Sequence, residues 1–318
     1  MNRYRAAAVG AVLALAGCSA GGQDGSGGGA EPQVTTTPAM LRTAGVSFPL
    51  DAYEATPEQQ NTLGRAQGVL TGRCMSRLGF TYRPPEQRIP STGASNARVF
   101  GLVDPDTAAR YGYLNPGMAN AAEGQGTSRA PDGGQRLTQA ERLALNGEDG
   151  LDPKDVPATL EEAEKSGGSD VRLNGRRVPV GGCVRESFLQ LYARKANEVD
   201  FLFVFNLKAE ADSKTREDSR VRAVDKSWST CMAKAGYQVT DPLKAAVQLG
   251  FAEAKLSGPD AVTAAKADVR CKERVNFVGV RYAVAGAYQQ RLIEENAETL
   301  ALAKEQLESR LRLAATLT

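Results

Sequence analysis

The sequence predicts a mainly α protein: a multi-helix body stapled by disulfides, with an internal repeat, a loop-rich insertion carrying a short hairpin, and a long C-terminal helix. Three observations predict it. Apolar residues recur at three-to-four spacing over much of 57–78, 221–235 and 260–316. The segment Cys74-Met-Ser-Arg-Leu-Gly-Phe80 returns as Cys231-Met-Ala-Lys-Ala-Gly-Tyr237. Strand signals are confined to one stretch around Asn174-Gly175.

The N-terminus reads as an address. Arg3 and Arg5 form a positive n-region, and Ala6–Ala16 an apolar run too short to span a bilayer. The run ends Leu15-Ala16-Gly17-Cys18, which resembles the bacterial lipobox. That resemblance implies a signal peptide over 1–17 and a diacylglyceryl group on Cys18. Residues 18–45 are rich in Gly, Ser, Pro and Thr and are expected to form a lipidated flexible tether. About 20 such residues reach about 25 Å. The helical domain is expected over 46–318. No strand precedes the glycines and no GK[ST] follows them, so a phosphate-binding loop is unsupported.

The first helix is announced by Thr56-Pro57-Glu58-Gln59, an N-cap, a proline at the first helical position and a capping box. Leu63, Ala66, Leu70, Cys74 and Leu78 make its apolar stripe, and Gly79 stops it. In the second copy Val221, Val224, Trp228, Cys231 and Ala235 form the stripe and Gly236 the stop. Each cysteine lies on the apolar face, five residues before its glycine. Cys183-Val-Arg-Glu186 and Cys271-Lys-Glu-Arg274 loosely match as the second cysteine of each copy. Four cysteines allow three pairings; the repeat selects Cys74–Cys183 and Cys231–Cys271. Phe201-Leu-Phe-Val-Phe205 reads as helix from the propensity of its flanks. Helices are expected to start at Asp241-Pro242 and at Ser257-Gly258-Pro259-Asp260. From Asp260 the pattern is helical almost to the end, with a kink or break expected at Gly279 or Gly286.

Residues 84–181 differ. Pro84-Pro85, Asp104-Pro105, Asn115-Pro116, Pro131-Asp132-Gly133-Gly134 and Asp152-Pro153 are turn signals. Thr138–Glu141 is a capping box opening a helix that Asn146-Gly147 ends. Asn174-Gly175 predicts a hairpin with a type I′ turn. This insertion is expected to bury little and to carry the partner surface. Its aromatic candidates for a ligand or partner are Tyr111, Tyr113, Phe100 and Tyr82.

Several motifs together carry a resemblance. They are the CMxxxGY segment after Trp228, Ala267-Asp268-Val269-Arg270-Cys271 before a long charged helix, Arg110-Tyr111-Gly112-Tyr113 with Pro116, and Leu137-Thr138 through Gly147. The chain resembles a group of exported lipoproteins of high-GC Gram-positive bacteria over most of 50–318. The resemblance implies fold organisation and location, not a chemistry.

Composition excludes several function classes. The 318 residues contain no histidine, which removes Ser-His-Asp and Cys-His catalysis and histidine metal sites. No CxxC or SxxK occurs, and the one GxSxG, Gly17-Cys18-Ser19-Ala20-Gly21, runs across the lipobox rather than from a strand into a helix. Aromatics are 6 %, which argues against an aromatic-lined sugar-binding cleft. Removing 1–17 lowers Lys+Arg from 39 to 37, against 37 Asp+Glu, so the mature chain is neutral and nucleic acid is not an expected partner. Glu148, Asp149, Asp152 and Asp155 do not follow the order of an EF-hand and read as a solvated acidic turn; no metal or cofactor is expected. The expected function is that of a non-enzymatic binding or structural lipoprotein on the extracellular face of the cytoplasmic membrane. Its expected partners are the membrane, through the lipid, and a cell-wall or envelope protein. The alternatives are a hydrolase using carboxylates such as Asp104, Asp106 and Glu123, and a small-molecule-binding lipoprotein.

Overall fold

A computed structural model describes residues 30–40, 43, 45–85, 94–115, 137–252 and 255–318. The lipobox and Cys18 lie outside the described residues, as do Pro116, Pro131–Gly134 and Glu123. Two compact units divide at Glu31, and Pro32–Thr318 is the body described below. Helix takes 62 % of the described residues and strand 2 %, about twice the ordinary third for helix. None of the described helices is long and apolar enough to cross a membrane.

The main helices are α1 (Pro57–Arg77), α2 (Pro105–Tyr111), α3 (Gln139–Asn146), α4 (Leu160–Ser166), α5 (Gly182–Tyr192), α6 (Phe203–Glu217), α7 (Ser219–Lys234), α8 (Pro259–Arg274), α9 (Phe277–Glu295) and α10 (Ala297–Leu317). Helix α1 packs on α5 and α10, α6 and α7 pack on α9, and α8 packs on α2 and α7. Both capping boxes form as the sequence predicts, Thr56 with Gln59 and Thr138 with Glu141.

The repeated segment has one structure used twice. Gly79 and Gly236 take φ of +87° and +91°. The Phe80 N–H donates to the Met75 carbonyl and the Tyr237 N–H to the Met232 carbonyl, both at 2.9 Å. The Gly79 and Gly236 N–H groups reach Ser76 and Ala233 at 3.0 Å. These are paired Schellman bonds, which need a left-handed residue at the helix stop. Met75 and Met232 are fully buried against the aromatic that follows the glycine. The disulfides are Cys74–Cys183, joining α1 to α5, and Cys231–Cys271, joining α7 to α8, with Cα separations of 5.5 and 5.7 Å. Cys231 is only half-buried and Ala235 is exposed, so the second stripe turns outward at its end.

The insertion is more ordered and more buried than its turn signals suggest. It supplies α2, α3, α4 and a two-stranded antiparallel hairpin in which Arg172 pairs with Arg177. Asn174 and Gly175 have φ of 50° and 78°, as a type I′ turn requires. The Asn174 Nδ2 donates to the Leu78 carbonyl at 2.8 Å, so the hairpin caps the end of α1. Phe100, Val103, Ala144, Leu145 and Val178 are buried. The expectation that the insertion buries little is therefore corrected: α3 buries Ala144 and Leu145 and α2 buries Ala108, and Phe100, Val103 and Val178 are buried from the connecting turns.

Four further expectations change. Phe203–Phe205 are helical, but Phe201 and Leu202 form the turn that precedes α6. Asp241-Pro242 opens a turn, and only Ala245–Gln248 are helical. The C-terminal run is three helices, and its breaks fall at Asn276 and Asn296, not at the glycines. Asn276 takes φ 53°, a left-handed conformation asparagine tolerates. Finally, the tether 18–45 is too long. Residues 32–40 lie on the body as an extended strap. Arg220 donates to the Pro32 carbonyl at 3.0 Å, and Val34 and Met40 pack on the core. Asn276 clamps the strap at two points, accepting from the Met40 N–H at 3.2 Å and donating to the Pro38 carbonyl at 2.9 Å.

Gly279 has a role other than a kink. A Cβ there would overlap the Pro38 carbonyl. Gly279→Ala is therefore expected to displace the strap while leaving the helices in place. Limited thermolysin digestion checks this: new cleavage within 32–40 with an intact disulfide-linked body is the expected result, and unchanged protection contradicts it.

Candidate functional site

The four aromatics singled out in the insertion do not come together. Phe100 is fully buried and stacks 6.2 Å from Phe48. Tyr113 packs beside Phe251, with ring centroids 6.0 Å apart, and joins the cluster under Trp228. Tyr111 ends α2, half-buried. Tyr82 alone lines a cleft. Gly112 separates the two tyrosines: its φ is +59° and its backbone lies against Leu256 and Ala261, so the chain is held to the body between them.

Around Tyr113 lies a buried polar network. Trp228 Nε1 donates to Asp268 at 2.9 Å. Lys272 Nζ sits 3.3 Å from Asp268 and donates to the Leu102 carbonyl at 2.8 Å. Arg281 pairs with Asp225 at 2.8 Å and lies 4.7 Å over the Phe277 ring. Burial raises the Asp268 carboxyl, against the pull of Lys272, and lowers the Lys272 ammonium, against that of Asp268. Burial, and then the Asp268 charge, push the Tyr113 phenol above its usual value. Asp268 and Lys272 are sealed from solvent, and the network links α7, α8 and the turn at Leu102. It is a structural staple rather than a reaction site.

The acidic turn stays at the surface. Asp152 accepts from the Lys154 N–H at 3.0 Å and pairs with its side chain. Asp104 is the N-cap of α2, accepting from the Thr107 N–H at 2.7 Å.

A cleft of about 840 Å³ lies between α1 and the insertion. Its construction begins with glycines the sequence places at helical spacing: Gly64, Gly68 and Gly72, four apart on one face of α1. After Gly79 the chain returns along that face. A Cβ at Gly68 would meet the Pro84 ring at 2.9 Å, and Gly72 faces the Tyr82 carbonyl at 3.8 Å. Those two glycines admit the returning chain. Gly64 faces open space. A helix-interior glycine costs about 0.5–1 kcal/mol relative to alanine, so Gly64 weakens α1 with no packing return. The opposite wall is Arg142, Leu145 and Asn146 of α3, with Val184 of α5. Thr71 is fixed at the base by a 2.9 Å bond to Ser187.

The charged side chains of the described lining are two arginines, Arg65 and Arg142. Arg65 donates to Thr62 Oγ1 at 3.0 Å and Arg142 to the Leu137 carbonyl at 2.6 Å. Neither contact is to a carboxylate. Two orientated guanidiniums, polar amide and hydroxyl groups and apolar walls can hold an anion attached to a larger body. Sequence reading missed this site, although the glycine spacing was its signal.

A second cleft, of about 400 Å³, lies on the other side of Gly64. Tyr53, Tyr192, Phe201 and Phe205 line it. Phe201 stands 5.8 Å from Tyr192 and 5.0 Å from Phe188, and Arg310 lies 5.6 Å over Tyr192. Burial lowers the Arg310 guanidinium, and burial raises the Tyr192 phenol. The low aromatic content argues against such a cleft; Tyr53 and the neighbouring stretch 192–205 nevertheless bring their rings to one place.

Comparison with known protein families, with curated proteins and with solved structures finds no match to this chain.

Proposed function

We propose that this chain is a lipid-anchored bacterial cell-surface protein that binds an anionic envelope ligand in the α1–insertion cleft and does not transform it. The observation that carries the binding role is the pair Arg65 and Arg142 in a cleft whose described lining holds no acidic side chain. A carboxylate-dependent hydrolase would need an acid and a base facing its substrate. The Leu15–Cys18 box and the likeness to exported lipoproteins support the location. The two disulfides fit an oxidising compartment on the outer face of the membrane.

Two measurements test the reading. Cys18→Ser is expected to abolish membrane partition of the processed protein; membrane retention after signal cleavage contradicts the anchor. Arg65→Ala with Arg142→Ala is expected to lose co-sedimentation with isolated cell envelopes. Charge-assisted hydrogen bonds contribute about 1.5–3 kcal/mol each, so binding should fall by more than about tenfold. An unchanged melting temperature accompanies it, because both side chains are at the cleft surface. Full binding by the double variant contradicts the site.

A further inference from the structure

The two clefts meet. Gly64 and Gln67 of α1 line both. Of these two, Gly64 has no side chain, and no atom lies within 4 Å of where its Cβ would be. The α1 ridge therefore drops to bare backbone where it would otherwise separate the arginine cleft from the aromatic one. Gly68 and Gly72 are explained by the chain that crosses them; Gly64 is not.

From this we infer that the clefts form one trough, crossed at Gly64, that binds an extended acidic glycan. The inference rests on the anion-binding reading above and names its ligand class. The arginine end takes the acidic groups. The far end offers what sugar rings need: flat aromatic faces for their C–H surfaces, flanked by side-chain amides that both donate and accept. Phe201 and Phe205 are 44 % and 61 % exposed, unusual for two phenylalanines on adjoining turns. Gln60, Gln67 and Gln306 supply the amides. The Gln306 Oε1 is buried with no hydrogen-bond partner among the described residues, an acceptor that a small shift of its side chain would turn to a hydroxyl or an acetamido N–H. A peptide fits less well. The described walls are mostly helices, whose backbone groups are already used, so among the described residues they offer no free edge to pair with a peptide main chain.

Calorimetry on the full mature lipoprotein in non-ionic detergent tests this. The probes are a tetrasaccharide and a decasaccharide of hyaluronan, which carry carboxylate and acetamido groups alternately, and a polyglutamate peptide of matched charge. The decasaccharide is expected to bind at least about tenfold more tightly than the tetrasaccharide, because only it reaches both clefts. Gly64→Trp should remove that advantage, so that the two saccharides bind this variant with the same affinity, whatever that affinity is. Gly64→Ala controls for helix effects: it should melt slightly higher and keep most of the advantage. Phe205→Ser, at an exposed position, should shrink the advantage without changing the melting temperature. Length-independent binding, or an advantage that survives Gly64→Trp, overturns the trough. The anion-binding reading then still stands if the tetrasaccharide is lost in the Arg65→Ala, Arg142→Ala protein. Binding of polyglutamate without either saccharide overturns the glycan assignment in favour of an acidic peptide, and no saccharide binding at any length overturns it outright.

Discussion

Lys272→Met is expected to destabilise the body by about 3–5 kcal/mol, the usual cost of removing one partner from a buried ion pair. Methionine fills similar volume, so the loss is mainly electrostatic. It leaves the Asp268 carboxylate sealed from water with Trp228 as its remaining strong donor, and it frees the Leu102 carbonyl. The double variant Lys272→Met, Asp268→Asn should recover much of the loss, because no uncompensated charge remains. A pH series separates charge from packing. Burial holds the Asp268 carboxyl above its ordinary value of 3.8, and more so once Lys272 is gone. A carboxyl raised on folding makes the folded state take up its proton first, so stability rises as pH falls through the folded value toward 3.8. The deficit of Lys272→Met, read by urea denaturation, should therefore narrow on acidification. A deficit independent of pH and unaffected by Asp268→Asn would show that Lys272 acts through packing alone.

Removing the Cys74–Cys183 bond is expected to cost more than removing Cys231–Cys271. The bonds span 109 and 40 residues of sequence. Loop-closure entropy gives about 5 and about 4 kcal/mol as upper figures. The first also holds the insertion, because every residue of 84–181 lies inside its loop. Cys74→Ala with Cys183→Ala should lower the melting temperature by more than Cys231→Ala with Cys271→Ala, and should expose α3 and the hairpin to hydrogen exchange. The reverse order would mean that the network of Trp228, Asp268 and Lys272 depends on its neighbouring bond more than chain entropy predicts.

What the sequence made legible is local. Cys-Met-x-x-x-Gly-aromatic packs three constraints into seven residues: a bond, a buried side chain and a left-handed stop. Recognising it twice gave the two disulfides. Thr56 and Thr138 announced their helices for the same reason, since a cap is satisfied within one turn. What remained illegible depends on distant partners. The strap has the composition of a linker, and it is held down by Arg220 and Asn276, 188 and 238 residues away. The break before α9 is made by an asparagine that helix propensity alone does not mark. The aromatic cleft draws on residues 53, 192, 201 and 205, so overall composition understated it. Tyr111 and Tyr113 misled because adjacency in sequence was taken for a shared surface, whereas Gly112 sends one ring toward Asp268.

The strap also decides how a pull is borne. If the chain hangs from a lipid at Cys18, tension arrives at Pro32 and meets the Arg220 bond, then the Val34 contact, then the two-point grip of Asn276. The load would meet these contacts one after another along the strap before it reached a helix. Each can yield and re-form without disturbing α1 or either disulfide. The first few residues of slack thus act as a shock absorber, and the cleft behind α1 keeps its shape while the anchor is tugged.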